Sequence, residues 1–86
     1  MIRVVYLGKL ADMAGKSESE FVSSSGDLDW PDILALLDDH VREGLADAVR
    51  DASVKVALNG VIVADREGLI AVDGDEVAFL PPVSGG

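Results

Sequence analysis

The chain has 86 residues, 49% of them hydrophobic, 27% charged and 5% aromatic, with 16 acidic against 7 basic side chains and a net charge of −9. A chain this size folds to about 4,900 Å² of surface from about 13,000 Å² unfolded, which gives one domain with a core and no large internal cavity. The acidity excludes a phosphate backbone or an anionic membrane as the natural partner and favours a basic protein surface.

The chain contains no cysteine and one histidine, His40. A disulfide, a thiol nucleophile, a thiolate metal site and a histidine cluster are therefore all excluded. The N-terminus carries Arg3, Lys9 and Asp12 early and lacks the apolar stretch of a signal peptide. No uncharged run is long enough to cross a bilayer, so the expected location is the cytoplasm.

Taken in chain order, Ile2 to Leu7 is β-branched and aromatic and reads as a central strand. Leu10 to Ala14 forms a helical turn ended by Gly15, and Glu18 to Val22 a second strand. Ser23 to Gly26 is a loop. Asp29 is the N-cap of the main helix, with Asp32 as the far half of a capping box and Pro31 in the first turn. Ile33, Leu34, Leu36, Leu37 and Val41 form its apolar stripe, with Ile33, Leu36 and Leu37 expected against the sheet and Asp38, Asp39 and Arg42 toward water. Gly44 breaks this helix, and Leu45 to Arg50 forms a second short one. Val54 to Leu58 is a strand, Asn59-Gly60 a type I′ hairpin turn, and Val61 to Val63 the returning strand. Leu69 plugs the core. Asp73-Gly74-Asp75 turns into the last strand, Glu76 to Leu80, which Pro81-Pro82 stops. The fold class is α+β: a mixed sheet with one main helix on one face, leaving the other face free as a docking surface.

Few residues offer chemistry. Asp73-Gly74-Asp75 lacks the further ligands of a calcium loop, and capping explains Asp29 and Asp32 without a metal, so none is expected. His40 reads as a solvated residue at a helix end, Ser23 to Ser25 have no base, and Trp30 packs at the helix start. The last ten residues differ: Val77-Ala78-Phe79-Leu80-Pro81-Pro82-Val83-Ser84-Gly85-Gly86 carries no charged side chain, in a chain with 23. Two prolines make a stiff exit, and two glycines can enter a channel too narrow for a Cβ. The tail reads as a thin, uncharged probe presenting one carboxylate, set against a plain frayed terminus.

The run Asp73 to Gly86 resembles the end of the small subunit of molybdopterin synthase. The opening strand, the Asp29-capped helix and the strand ending at Asn59 follow in matching order; Leu80 stands where many relatives carry a second Phe. The resemblance implies a ubiquitin-like β-grasp domain over residues 1–80 and a flexible Gly-Gly tail over 81–86. It implies a sulfur carrier with no permanently bound cofactor and no catalytic side chain of its own, working in a heterotetramer. Gly86 is then the reacting residue, activated with ATP by an E1-like adenylating enzyme, charged as a thiocarboxylate from a sulfur donor protein, and discharged onto cyclic pyranopterin monophosphate in the large subunit. Gly85 is the spacer, Pro81, Pro82, Val83 and Ser84 guide the tail, and Leu80 and Ala78 face the partner. The same activated carboxylate suits a ubiquitin-like protein modifier, or a sulfur carrier of another pathway such as thiamine; a passive interaction module with an inert tail is the plainest alternative.

Overall fold

The computed structural model describes residues 1–82. Of the expected tail, Pro81 is half-buried and Pro82 exposed, while Val83, Ser84, Gly85 and Gly86 lie outside the described residues.

Strand β1 (Ile2–Tyr6) leads through helix α1 (Lys9–Ala14) to strand β2 (Glu18–Phe21). Strand β3 (Asp27–Asp29) precedes helix α2 (Trp30–Leu36), a π-helical turn (Leu37–Val41) and helix α3 (Leu45–Arg50). Strands β4 (Lys55–Leu58) and β5 (Val61–Ile62), a 3₁₀ turn (Arg66–Gly68), β6 (Ile70–Val72) and β7 (Glu76–Leu80) complete the order. The main sheet runs β2-β1-β7-β4-β5. Its central pair, β1 and β7, is parallel, and every other pair is antiparallel. This is the mixed sheet expected from the sequence.

Local chemistry fixes the elements. The Asp29 carboxylate accepts from the Asp32 N–H at 2.9 Å, and the Asp32 carboxylate accepts from the Asp29 N–H at 3.3 Å, which completes the capping box. Asn59 and Gly60 both have positive φ, 51° and 82°, as a type I′ turn demands. The Asn59 side chain also donates to the Asp75 carboxylate at 2.9 Å and accepts from the Glu76 N–H at 2.9 Å, so the hairpin is tied to the start of β7.

All three helices pack on one face of the sheet. Ile2, Val4 and Tyr6 of β1, Val77 and Phe79 of β7 and Val56 of β4 meet Leu10 of α1, Ile33 of α2, Leu37 of the π-turn, and Leu45 and Val49 of α3 in one core. Tyr6 stacks on Phe79 at 6.5 Å between ring centroids, and Trp30 tilts against the same ring at 6.2 Å. The buried Tyr6 hydroxyl donates to Ser19 Oγ at 3.0 Å, which satisfies both groups. Burial pushes the Tyr6 phenol above its ordinary pKa, against the smaller lowering effect of that bond.

Three sequence expectations change. Leu36 is half-buried at the core's edge, while Ile33 and Leu37 are fully enclosed. Ile33 and Leu37 stand one regular helical turn apart on the covered stripe, the Leu37 N–H donating to the Ile33 carbonyl, and Leu36 falls on its flank. Beyond Leu37 the Arg42 N–H reaches back five residues to the Leu37 carbonyl, so the stripe is not continuous through Val41. Asp38 does not face water; it is half-buried and accepts from the Ala46 N–H at 2.8 Å, which holds α3 against the end of the π-turn. Finally, β3 and β6 pair Leu28 with Ala71 in a second, two-stranded sheet that the sequence reading treats as loop.

Candidate functional site

The exposed face of the sheet and the exit of β7 form the candidate site. On β7 the alternation is clean: Val77 and Phe79 point into the core, and Ala78 and Leu80 lie half-buried on the opposite face. Register extends this face across four strands. Val5 of β1 stands beside Ala78, Ala78 beside Ala57 of β4, and Ala57 beside Ile62 of β5. Leu80 pairs with Lys55 on β4. The centre of this face is thus flat and apolar, because two alanines sit between Val5 and Ile62. Ala57 is 5% exposed although it lies outside the helix-covered core, since its neighbours on the open face shield it.

Charges frame the apolar row. The Arg3 guanidinium donates to the Glu76 carboxylate and also lies 3.5 Å from Glu18. Those carboxylates hold Arg3 more firmly in its charged form, the Glu76 hydrogen bond contributing most. Lys55, with an exposed side chain, stands at the far side.

The tail leaves this face at Pro81. The Leu7 N–H donates to the Phe79 carbonyl at 3.3 Å, and Pro81 has no N–H to continue the ladder. Its ring then sits against Gly8, where a Cβ would stand 3.1 Å from Pro81 Cγ. Gly8 has φ 54° and ψ −134°, a conformation that side chains avoid. The close approach of Gly8 and Pro81 is therefore built on the one residue that permits it. Sequence reasoning missed Gly8, because a glycine after a strand reads only as a turn.

The structure brings Ala78, Leu80 and Pro81 together at one edge of this face. The structural placement of Gly85 and Gly86 lies outside the described residues. His40 is exposed, as expected, and Trp30 is buried under Arg66, whose guanidinium lies 6.0 Å from the ring centre. Arg66 also donates to the Val49 and Val54 carbonyls at 3.0 and 2.5 Å, so it pins the chain after β5 to the end of α3. This structural role has no signal in the sequence. Among the described residues, no group of three or more histidine or acidic side chains is placed to hold a metal ion. No helix of the described residues is long and apolar enough to cross a membrane.

The ThiS family model matches residues 4–86. The chain belongs to the ThiS family. Within reach of that family, it is 32% identical to the molybdopterin synthase sulfur carrier subunit of Escherichia coli, over all of both chains. It is 35% identical to the molybdopterin synthase sulfur carrier subunit of Chlamydomonas reinhardtii, over 99% of this chain and 98% of that one. Among solved structures it resembles SAMP1, a small archaeal modifier protein, from Haloferax volcanii, at TM-score 0.72 and 28% identity, covering 99% and 98% of the two chains. A chain from the complex of subunits 1 and 2 of molybdopterin-converting factor from Helicobacter pylori shares the fold, at TM-score 0.66 and 24% identity, covering 99% and 97%. The chain thus has the ubiquitin-like β-grasp architecture.

Proposed function

We propose that this ThiS-family chain is the sulfur carrier subunit of molybdopterin synthase, with the carboxylate of Gly86 as its chemical group. The full-length likeness to two sulfur carrier subunits carries the reading. The sequence Pro81-Pro82-Val83-Ser84-Gly85-Gly86 that follows the sheet supports it.

The chemistry follows from the group. A terminal carboxyl with a pKa of about 3.5 is an anion at neutral pH and resists nucleophiles. On an E1-like adenylating enzyme it attacks the α-phosphorus of ATP; pyrophosphate leaves and an acyl-adenylate forms. A sulfur donor protein then supplies sulfur to the acyl carbon, AMP leaves, and a thiocarboxylate results. That soft nucleophile bonds through sulfur to cyclic pyranopterin monophosphate in the large subunit. Water then cleaves the acyl carbon–sulfur bond, which leaves the sulfur on the substrate and returns Gly86 as a carboxylate. The carrier needs no catalytic side chain and no bound cofactor for any of these steps. Gly85 keeps the approach narrow, and Pro81, Pro82, Val83 and Ser84 guide it. The large subunit docks on the open face around Ala78 and Leu80, where an apolar centre and a charged frame suit a protein partner. The Helicobacter pylori neighbour, solved with subunits 1 and 2 together, supports a partner of that kind.

A second reading is favoured by the likeness to SAMP1: a protein modifier joined through Gly86 to a lysine of its target. One experiment separates the outcomes. The purified chain is incubated with an adenylating enzyme and ATP, and pyrophosphate release is followed. Protein isolated from cells is weighed by mass spectrometry for sulfur-for-oxygen exchange at Gly86 or for an isopeptide adduct. A variant with one alanine added after Gly86 is expected to release no pyrophosphate while its thermal midpoint stays that of the parent, because a terminal extension touches no core contact. Pyrophosphate release by the extended variant would overturn both readings. An isopeptide adduct without thiocarboxylate would favour the modifier.

A further inference from the structure

The outer edge of β2 lies at the far side of the main sheet from β4 and β5. Strand β2 lies at the end of the main sheet, with β1 on one side only. The Tyr6 N–H donates to the Ser17 carbonyl at 2.9 Å, and the register pairs Val4 with Ser19 and Ile2 with Phe21. Antiparallel pairing alternates, so Ser19 and Phe21 turn their backbone groups to β1 while Glu18 and Glu20 turn theirs outward. Those outward N–H and C=O groups can accept one more strand.

The side chains along this edge specify what that strand must be. On the helix side, the edge borders an open groove of mixed polarity, where Phe21, Val22, Leu36 and Val41 lie among Lys16, Ser19, Glu20 and His40. Val22 is 75% exposed, and Phe21, Leu36 and Val41 are half-buried. On the other side of the sheet, Glu18 and Glu20 project from the same strand, flush with Arg3 and Val5 in register. Arg3 engages Glu18 and Glu76, and among the described residues Glu20 has no ion pair. A strand added here would place alternate side chains over the Phe21, Val22, Leu36 and Val41 side of the groove and beside the two carboxylates.

We propose that the β2 edge binds an extended segment of a partner protein that alternates apolar and basic residues. The apolar side chains fill the groove beside Leu36 and Val22, and the basic ones pair across the strands with Glu18 and Glu20. A second copy of this chain is a poor occupant, because its own β2 would set carboxylates opposite carboxylates. Charged residues on an edge also deter unwanted pairing. That role alone leaves Val22 and its groove without a purpose.

The test uses the full chain, labelled with ¹⁵N and with methyl-labelled leucine and valine, and two blocked hexapeptides at low salt. One alternates lysine with valine, and the other alternates glutamate with valine. The lysine peptide is expected to shift the Glu18, Glu20 and Val22 amides and the Leu36 and Val41 methyls, and to slow hydrogen exchange at Glu18 and Glu20. The glutamate peptide is expected to bind at least about tenfold more weakly, with two pairings turned repulsive. Glu20→Lys, a change on an exposed side chain, should weaken the lysine peptide about fivefold. Val22→Asp should weaken it further without altering the thermal midpoint. Equal binding of the two peptides, shifts centred on Ala78 and Leu80, or an unperturbed β2 at about 1 mM peptide would each overturn the proposal. None of these outcomes depends on whether Gly86 is adenylated.

Discussion

The two faces of the main sheet carry the same alternating strands and do opposite work. On the covered face, Val77 and Phe79 are wholly enclosed within one core that draws on all three helices. On the open face, their neighbours Ala78 and Leu80 keep part of their surface in water. The covered face is built of large, complementary side chains and holds the domain together. The open face has small residues at its centre and charges around it, so it contributes less to folding and stays flat. One strand, β7, thus buries its odd-numbered residues Val77 and Phe79 in the core and leaves its even-numbered residues Ala78 and Leu80 on the open face, where the proposed partner would dock.

The comparison breaks most visibly at two adjacent residues. Phe79→Ala removes the ring that Tyr6 and Trp30 both pack against, and is expected to cost about 3–5 kcal/mol. For so small a domain that is a large share of the whole stability. Leu80→Asp, one residue on, is expected to change stability by about 1 kcal/mol or less, because its side chain is half in water already. Urea unfolding measures both, and equal losses would mean that the open face is part of the core. Calorimetry with the molybdopterin synthase large subunit should show the reverse order for Leu80→Asp: the domain folded and the affinity reduced.

A second pair sharpens the boundary where helix meets sheet. Leu37→Ala is expected to cost about 2–5 kcal/mol, since the side chain is fully enclosed. Leu36→Ala should cost about 1 kcal/mol, because that residue only borders the core and the groove beside β2. Urea midpoints rank the two. A larger loss at Leu36 would mean that Leu36, and not Leu37, faces the core in solution.

That pair also shows what was legible in the sequence. The capping box, the Asn59-Gly60 hairpin and the alternation along β7 were readable because each is decided by residues within a few positions. The α+β class followed from the order of those elements. Leu36 and Leu37 were not separable, since a broad apolar stripe admits both, and which of them falls on its flank is decided by the core that α2 packs against. The β3–β6 ribbon was hidden because three-residue strands carry no periodic signal, and its one enclosed pair, Leu28 with Ala71, meets only in the folded chain. At the site, Ala78, Leu80 and Pro81 were named from sequence by alternation and by the prolines. The row they join, Val5 to Ile62, needed the register of four strands, and Gly8 needed the fold to bring Pro81 against it.

The smallest expected effect lies where the two faces end, at the turn before β7. The Asp75 carboxylate accepts from the Val72 N–H at 2.8 Å and from the Asn59 side chain at 2.9 Å. Those bonds, the Val72 one first, hold its pKa below the ordinary carboxylate value of 3.8. A depressed pKa means the folded state binds the proton less readily than the unfolded chain does. The resulting stability is therefore present above about pH 4 and is lost as the pH falls below 3.8 through the depressed folded value. Asp51, held low by the Ser53 N–H and then the Ser53 hydroxyl, acts in the same direction. Both groups are exposed to water, so the effect is slight. Asp75→Asn should lower stability a little at pH 7 and flatten the decline between pH 4 and pH 2, as read from urea midpoints across that range. An identical slope in the parent and in Asp75→Asn would mean that the turn joining Asn59 to β7 does not depend on this carboxylate's charge.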